Sequence, residues 1–151
     1  MIIPQLRTPR LLLRGPARHD FDVYRRFYAD PDASFFYGGP LEAGAAWRRL
    51  ACDLGHWTLR GFGMWSVVEQ ATGRMVGGCG IVWPEGWPRH ELTWWIAPDA
   101  RRKGYASEAS RAAKAAHIPA FPAPTTTTSY SPAIFPAAIG RPSASIRSLC
   151  S

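Results

Sequence analysis

The stretch RRKGYAS, Arg101 to Ser107, combines concentrated positive charge, a glycine and small residues directly before a pattern typical of a helix. A helix N-terminus carries unpaired backbone N–H groups and a partial positive charge, and it therefore attracts phosphate. Gly104 would let the backbone approach such an anion closely. The stretch therefore predicts a phosphate-binding turn. The alternative is an ordinary basic turn in front of a solvated helix.

A second residue that could do chemistry is Glu91, which opens the strand-like segment HELTWWIAP just ahead of the turn. A partly buried carboxylate with a pKa near neutrality could take a proton from an incoming ammonium group, directly or through water. The alternative is a structural carboxylate that pairs with Arg89 or another arginine. The residues alone leave both interpretations open.

Other reactive side chains give weaker signals. The histidines share no metal-ligand spacing and the cysteines form no CxxC pair, so no metal site is expected; these residues are His19, His56, His90 and His117, and Cys52, Cys79 and Cys150. Cys79 lies in a glycine-rich strand and is expected to be buried rather than nucleophilic. Trp83 and Trp87 could line an acceptor pocket, or they could pack over the sheet.

Strand patterns precede the turn. PRLLLRG predicts a first strand, and the segments from Met64 to Glu69 and from Met75 to Val82 predict a hairpin around Thr72-Gly73. Three glycines inside the second hairpin strand predict a bulge or a close approach of another backbone: Gly77, Gly78 and Gly80. In HELTWWIAP the residues Leu92, Trp94 and Ile96 alternate with Glu91, Thr93 and Trp95, which predicts two differently packed faces.

Helical patterns run from about His19 to Tyr28, from Leu41 to Leu59 and from Gly104 to Ala116. Two of them carry stripes that predict core packing: Phe21, Tyr24, Phe27 and Tyr28 on the first, and Trp47, Leu50, Leu54 and Trp57 on the second. Asp30-Pro31 is expected to end the first helix. The order of elements predicts a mixed α/β fold with a mainly antiparallel, twisted sheet flanked by helices.

The chain changes character from Ile118 onward, where six of its fourteen prolines occur without any acidic residue. Thr125 to Tyr130 could form one short strand because β-branched residues favour a pleated surface. We therefore expect a domain over residues 1–130 and a disordered Pro/Ser/Ala-rich tail over residues 131–151.

Composition limits the class of protein. A chain of 151 residues, 46% hydrophobic and 19% charged, fits one globular domain. The net charge of +7 suits acidic partners, but the arginines are scattered and the aromatic-plus-basic surface of an RNA module is not visible, so nucleic acid ranks last. The start MIIPQLRTPR lacks a signal-peptide core and no apolar run approaches a membrane span, which predicts a cytoplasmic protein without membrane contact.

Three segments, RTPRLLLRG, GRMVGGCGI and HELTWWIAPDARRKGYASEASRAA, together resemble the GNAT superfamily of acyl-CoA-dependent N-acetyltransferases over about residues 6 to 117. Within it, the resemblance is to the Rim-type ribosomal-protein N-terminal acetyltransferases and their small-molecule relatives. The resemblance implies the GNAT-like fold and transfer of an acetyl group from acetyl-CoA to a primary amine by direct attack in a ternary complex. The amine would belong to a protein N-terminus or a small molecule, no metal is involved, and a homodimer is compatible.

The resemblance also assigns residues. The cofactor-binding set would be Trp94, Trp95 and Ile96, whose main chain pairs with the pantetheine arm, and Arg101, Arg102, Lys103, Gly104, Tyr105, Ala106 and Ser107 around the pyrophosphate. Glu91 matches the acidic residue often proposed as the general base. A backbone amide near Trp95 would stabilise the oxyanion.

The C-terminus departs from the resemblance. Relatives continue with a strand, an Asn-x-x-Ser type segment and a helix ending in Leu-Gly, whereas this chain has no asparagine. A frameshifted or truncated C-terminus is one hypothesis. The sequence does not place the usual proton donor to the leaving thiolate, a Tyr or Ser after that strand; Tyr130 is named for this role without a motif to support it. The alternative function is an impaired relative that binds CoA or a protein partner without turnover.

Overall fold

The computed structural model describes residues 2–117. Its strands and helices, in chain order, are β1 (Leu6–Arg7), β2 (Leu11–Arg14), α1 (Phe21–Ala29), α2 (Pro31–Ser34), α3 (Ala43–Arg60), β3 (Met64–Glu69), β4 (Arg74–Val82), β5 (Glu91–Ile96) and α4 (Tyr105–His117). Short 3-10 turns lie at Arg18–Asp20, Phe35–Tyr37 and Pro98–Ala100. The predicted strand around Thr125 and the predicted boundary at residue 130 lie outside the described residues.

The strands of the described region form one antiparallel sheet in the order β1-β2-β3-β4-β5. The predicted hairpin is confirmed, with β4 beginning one residue earlier than expected, at Arg74. Gly73 forms its turn with a positive φ of 69°. The mixed α/β fold with a mainly antiparallel sheet and flanking helices is therefore confirmed.

Each face of the sheet carries its own hydrophobic core. On one face α1 and α3 pack against residues that include Met64 and Trp95. On the other face α4 packs against Val67, Val76 and Ile96 with its small residues, among them Ala109. Burying these side chains on both faces stabilises the layered arrangement, because apolar surface removed from water is the main favourable term in folding. The predicted alternation along β5 is confirmed by this division.

The glycines of β4 lie where neighbouring backbone comes close. The pairing of β3 with β4 shifts between Val67 and Val68, which is the predicted bulge. A Cβ at Gly77 would lie 2.1 Å from the carbonyl oxygen of Trp95, so a side chain cannot be accommodated there without movement. Both parts of the glycine prediction are confirmed.

Several boundaries differ from the expectation. Asp30 ends α1 as predicted, but its carboxylate also accepts hydrogen bonds from the N–H groups of Asp32 and Ala33 and so begins α2. Pro31 is the first residue of α2, a position where proline favours the start of a helix. The sequence pattern at Asp30-Pro31 predicted only the end of the preceding helix. The two-residue strand β1 was also missed, because so short a segment shows no periodicity.

The stripe predicted for α3 is wrong in part. Leu50 and Trp57 are buried, whereas Trp47 is 43% and Leu54 is 40% exposed. Trp47 contacts Phe21 edge-to-face, with ring centroids 5.2 Å apart. The stripe is therefore wider than the surface that α1 and the sheet cover. None of the described helices has the length and apolar character needed to span a bilayer.

Candidate functional site

The segment that joins β5 to α4 has an unusual backbone. Arg101 is extended, Arg102 has a positive φ of 64° and Gly104 has a φ of 78°, after which α4 begins. Positive φ suits glycine but is uncommon for arginine. Turns in which left-handed residues alternate with others can point successive N–H groups into one concavity, which is a form of backbone that binds anions.

The N-terminus of α4 lies directly beyond this turn. The N–H of Glu108 donates to the carbonyl of Gly104 at 3.1 Å, which closes the first turn of the helix. The amides of Tyr105, Ala106 and Ser107 precede that bond, in the positions where helix geometry leaves N–H groups without an intrahelical acceptor. These amides and the helix dipole favour a negative charge at this end.

A cavity of about 370 Å³ opens beside the turn. Its volume lies within the range of small-molecule sites. Eight of the residues predicted to bind the cofactor line it: Trp94, Trp95, Ile96, Arg101, Arg102, Gly104, Tyr105 and Ala106. The opposite wall comes from α1, α2 and the following turn, through Phe27, Asp32, Ala33, Phe36 and Tyr37.

Three predicted residues do not line this cavity. The ammonium group of Lys103 lies 3.6 Å from Oε1 of Glu69, on the β3–β4 hairpin, and Ser107 is exposed. Glu91 is half-buried at the start of β5, five residues before Ile96, which corresponds to about 17 Å along a strand. Its position along β5 places it on the face shared with Thr93 and Trp95, toward α1 and α3.

Among residues 2–117, β5 pairs only with β4, and its main chain presents alternate residues to the other edge, called here the open edge. Gly78 pairs with Trp95 and the N–H of Ala97 donates to Val76, so the backbone polar groups of Trp95 face β4. Those of Trp94 and Ile96 face away from β4. Near Trp95, the amides available to a ligand are therefore those of its two neighbours.

The outward carbonyls of Trp94 and Ile96 accept side-chain hydrogen bonds. The hydroxyl of Tyr37 donates to the carbonyl oxygen of Trp94, and Nε of Arg101 donates to that of Ile96 at 3.2 Å. Desolvation raises the pKa of Tyr37 to about 12, so its hydroxyl stays neutral and remains a donor. Tyr37 was missed from the sequence, although the aromatic run FFY after a capped helix start could have indicated it.

The glycine turn is also fixed from the hairpin side. The hydroxyl of Tyr105 donates to Oε1 of Glu69, which is itself buried. Hydrogen bonds from Thr72 and Tyr105 hold the pKa of Glu69 down at about 2, so this group is a carboxylate at neutral pH. Lys103 therefore has an anionic partner away from the cavity.

Two other residues considered from the sequence, His56 and Cys79, have the surroundings of structural residues. His56 bridges two backbone groups, since Nδ1 lies 2.7 Å from the carbonyl of Phe62 and the N–H of Trp83 donates to Nε2 at 2.9 Å. Cys79 is fully buried, as predicted, and burial raises the pKa of its thiol to about 12. Across residues 2–117 no group of three or more His, Cys, Asp or Glu side chains could hold a metal ion.

Comparisons with known proteins identify the family and similar folds. The sequence model of the Acetyltransferase (GNAT) domain matches residues 10–132. The crystal structure of an acetyltransferase from Agrobacterium tumefaciens str. C58 is similar at 36% identity, with a TM-score of 0.70, over 76% of this chain and 67% of that one. A protein assigned to the GnaT acetyltransferase family from Bordetella pertussis is 26% identical, with a TM-score of 0.66, over 76% and 71%.

A GNAT-family acetyltransferase from Bacillus anthracis shares the fold at 22% identity, with a TM-score of 0.61, over 72% of this chain and 63% of that one. The chain thus spans about two thirds of the length of these structures. The matched region includes the whole described part of the site, from Arg10 to the end of α4.

Proposed function

The chain belongs to the GNAT acetyltransferase family, whose members transfer an acyl group from acyl-CoA to an amine, and we propose that its donor is acetyl-CoA and its acceptor a primary amine. The observation that carries the proposal is the left-handed turn at Arg102 and Gly104, which opens α4 beside a cavity of about 370 Å³. Arg101 and Arg102 add two positive charges to the same wall. A diphosphate with an extended arm fits this combination of charge, amides and apolar surface.

Residues of the turn would hold the cofactor by its phosphates. The amides from Arg102 to Ser107 bind the pyrophosphate in this proposal, and the side chain of Lys103 contributes only at longer range because Glu69 holds it. The open edge of β5 receives the pantetheine arm through the main chain of Trp94 and Ile96. Trp95 contributes its side chain, since its own backbone pairs with β4.

The proposed reaction needs no covalent intermediate with the protein. A thioester is already activated toward an amine, so holding the reactants in contact provides much of the acceleration. The amides at the open edge of β5 are the donors placed to stabilise negative charge on the acyl oxygen. Glu91 is the proposed general base, which takes a proton from the amine through water. It lies on the face of β5 that packs against α1 and α3.

The acceptor follows from the family branch that the sequence resembles. We propose a protein N-terminus, in the manner of the Rim-type enzymes, with small-molecule amines as the second class. We further propose a catalytic domain over residues 1–130 with residues 131–151 as a tail, and a homodimer in the cytoplasm. Limited proteolysis tests the boundary, and light scattering tests the oligomeric state.

Two measurements on the full chain test the proposal. Calorimetry with CoA should show binding, and a thiol-release assay with acetyl-CoA and a panel of peptide and small-molecule amines should show turnover, with products identified by mass spectrometry. Binding without turnover on the whole panel would indicate the impaired relative. Failure to bind CoA would overturn the proposal.

A further inference from the structure

The carboxylate of Glu108, in the first turn of α4, is held by residues almost one hundred positions earlier in the chain. Its Oε1 accepts hydrogen bonds from the Thr8 hydroxyl at 2.6 Å and from the N–H of Arg10 at 3.0 Å. Its Oε2 accepts from Nε of Arg10 at 2.7 Å and lies 2.7 Å from Nη2 of the same guanidinium. Glu108 is only 9% exposed, whereas the side chain of Arg10 is 49% exposed, so the carboxylate is shielded from water and the guanidinium is partly solvated.

Arg10 also reaches the glycine turn itself. Its Nη1 donates to the carbonyl of Lys103 at 2.7 Å, and its guanidinium lies 4.9 Å from the ring centroid of Tyr105. A Cβ added at Gly104 would lie 3.4 Å from Nη2 of Arg10. One side chain therefore contacts the turn, the first helical residue and the first-turn carboxylate together.

The carbonyl that Arg10 holds belongs to the residue between the two left-handed positions. Lys103 follows Arg102, whose positive φ is disfavoured for a residue with a Cβ, and precedes Gly104. A strained backbone persists only where its surroundings fix it. The hydrogen bond from Arg10 turns this carbonyl toward the N-terminal segment and fixes the peptide plane between Lys103 and Gly104.

We propose that Arg10, supported by Thr8 and Glu108, is a positioning residue that fixes the glycine turn in its anion-binding shape. The proposal rests on the proposed function, because it assumes that the turn binds the phosphates of CoA. It gives a function to the Thr-x-Arg sequence just before β2, whose residues contact the segment from Lys103 to Glu108. Fixing the binding conformation in advance strengthens affinity by reducing the ordering cost of binding.

A positioning role and simple charge attraction predict different changes in CoA affinity for Glu108→Gln. Glu108→Gln removes a negative charge close to the expected phosphates, so Coulomb's law alone predicts unchanged or tighter CoA binding. Positioning predicts weaker binding, because the amide of glutamine cannot accept all the hydrogen bonds of Thr8 and Arg10. Losing this support should raise the Kd for CoA about tenfold. Arg10→Lys keeps the charge but loses the forked contacts, and it should weaken binding similarly.

The test is calorimetry of CoA with the full chain, its Glu108→Gln, Arg10→Lys and Arg10→Gln variants, and Arg7→Gln as the matched control. Arg7 belongs to the same N-terminal segment, but its guanidinium bonds Gln70 at 3.0 Å, away from the turn. The variants should raise the KM for acetyl-CoA and leave the KM for the amine unchanged, while Arg7→Gln binds as the parent does. Amide hydrogen exchange should be faster from Gly104 to Ser107 in the unliganded variants.

The possible results distinguish a failure of the positioning role from a failure of the proposed function. If the parent binds CoA and Glu108→Gln binds it equally or more tightly, with unchanged exchange in the turn, the positioning role is overturned and the proposed function stands. If the parent binds no CoA, both fall. Thermal unfolding of each variant confirms that the comparison is between folded proteins; should Arg10→Gln not fold, Thr8→Val and Glu108→Gln carry the test.

Discussion

The hydroxyl of Tyr24 donates a hydrogen bond of 2.7 Å to Oδ2 of Asp53, and this bond joins α1 to α3 beneath the sheet. Tyr24 is fully buried and Asp53 is partly buried. Desolvation raises the pKa of Asp53 to about 6 from an ordinary 3.8, although the Tyr24 hydroxyl and the nearby guanidinium of Arg49 both lower it. Asp53 is thus a carboxylate whose charge the fold disfavours.

This shift makes stability depend on pH. Because the folded pKa lies above the unfolded one, the favourable contribution of Asp53 is complete below about pH 4 and is lost as the pH rises through about 6. Asp53→Asn cannot ionise, so its free energy of unfolding should exceed that of the parent above pH 6 by on the order of 2 kcal/mol. Urea unfolding from pH 4 to 8 measures the difference, and a difference that does not change with pH would contradict the argument.

A second prediction concerns Asp20, which is 1% exposed at the start of α1. Its carboxylate accepts from the Arg14 guanidinium at 2.7 and 2.8 Å, from the Ser66 hydroxyl at 2.7 Å and from the N–H of Ala17 at 2.9 Å. Burial alone would raise the pKa of Asp20, and these hydrogen bonds outweigh it and lower the pKa. Asp20→Asn leaves the partly buried Arg14 guanidinium poorly paired and should cost about 3 kcal/mol of stability, the lower end of the range for a buried pair.

Asp22→Asn is the matched control for Asp20→Asn. Asp22 is 75% exposed and its contact with Arg25 is 3.4 Å long, so the change should alter stability by less than about 0.5 kcal/mol. Denaturant unfolding at neutral pH compares the two. Equal effects for both variants would show that the buried pair has no special weight.

A third prediction uses two glycines with opposite surroundings. A Cβ at Gly80, in β4, would lie 2.1 Å from the carbonyl oxygen of Gly63, so Gly80→Ala should destabilise by about 2 kcal/mol or more. Gly55 lies within α3, and apart from its chain neighbours and the helix's own backbone no atom of residues 2–117 lies within 4 Å of its Cβ position, so Gly55→Ala should stabilise by about 0.5–1 kcal/mol. Thermal melts should move in opposite directions, and a shared direction would contradict the packing described for β4.

These glycines also show how much the sequence could predict. Alternation along β5 and the aromatic stripe of α1 gave correct faces, because a pleated strand repeats every two residues and a helix every 3.6. The glycine-rich strand predicted close backbone contact, which the structure confirms. Periodicity records which side chains are apolar, however, and not which of them a neighbouring element covers; Trp47 and Leu54 were therefore misassigned to the core.

The candidate site also has a part that the sequence predicts and a part that it does not. Its local part, the turn before α4 with Arg101, Arg102 and Gly104, follows from residue type and order. Its long-range part does not: Arg10 meets Glu108 across 98 residues, and Tyr37 meets Trp94 across 57. No spacing within a single element indicates such contacts, because only the packing of several elements creates them.

A fourth prediction separates proton transfer from cofactor binding. Glu91→Gln should leave the affinity for CoA nearly unchanged, since Glu91 does not line the cavity beside the turn, and should lower kcat by about 10²-fold. The control is Glu85→Gln, in the loop before β5, where the carboxylate is 96% exposed and pairs with Arg60. A Glu91→Gln enzyme that turns over like the parent would remove Glu91 from the chemistry.

If the backbone around Gly104 binds the pyrophosphate of CoA, a side chain at this position should block binding, and calorimetry of CoA with Gly104→Glu decides this. A glutamate at a φ of 78° is strained, its Cβ would lie 3.4 Å from Nη2 of Arg10, and its charge repels phosphate. Gly61→Glu is the control, because Gly61 also has a positive φ, of 76°, with open space around it at the end of α3. The parent and Gly61→Glu should bind CoA with the same affinity, and Gly104→Glu should bind it roughly 100-fold or more weakly. Binding of CoA by Gly104→Glu with the affinity of the parent would contradict pyrophosphate binding by this backbone.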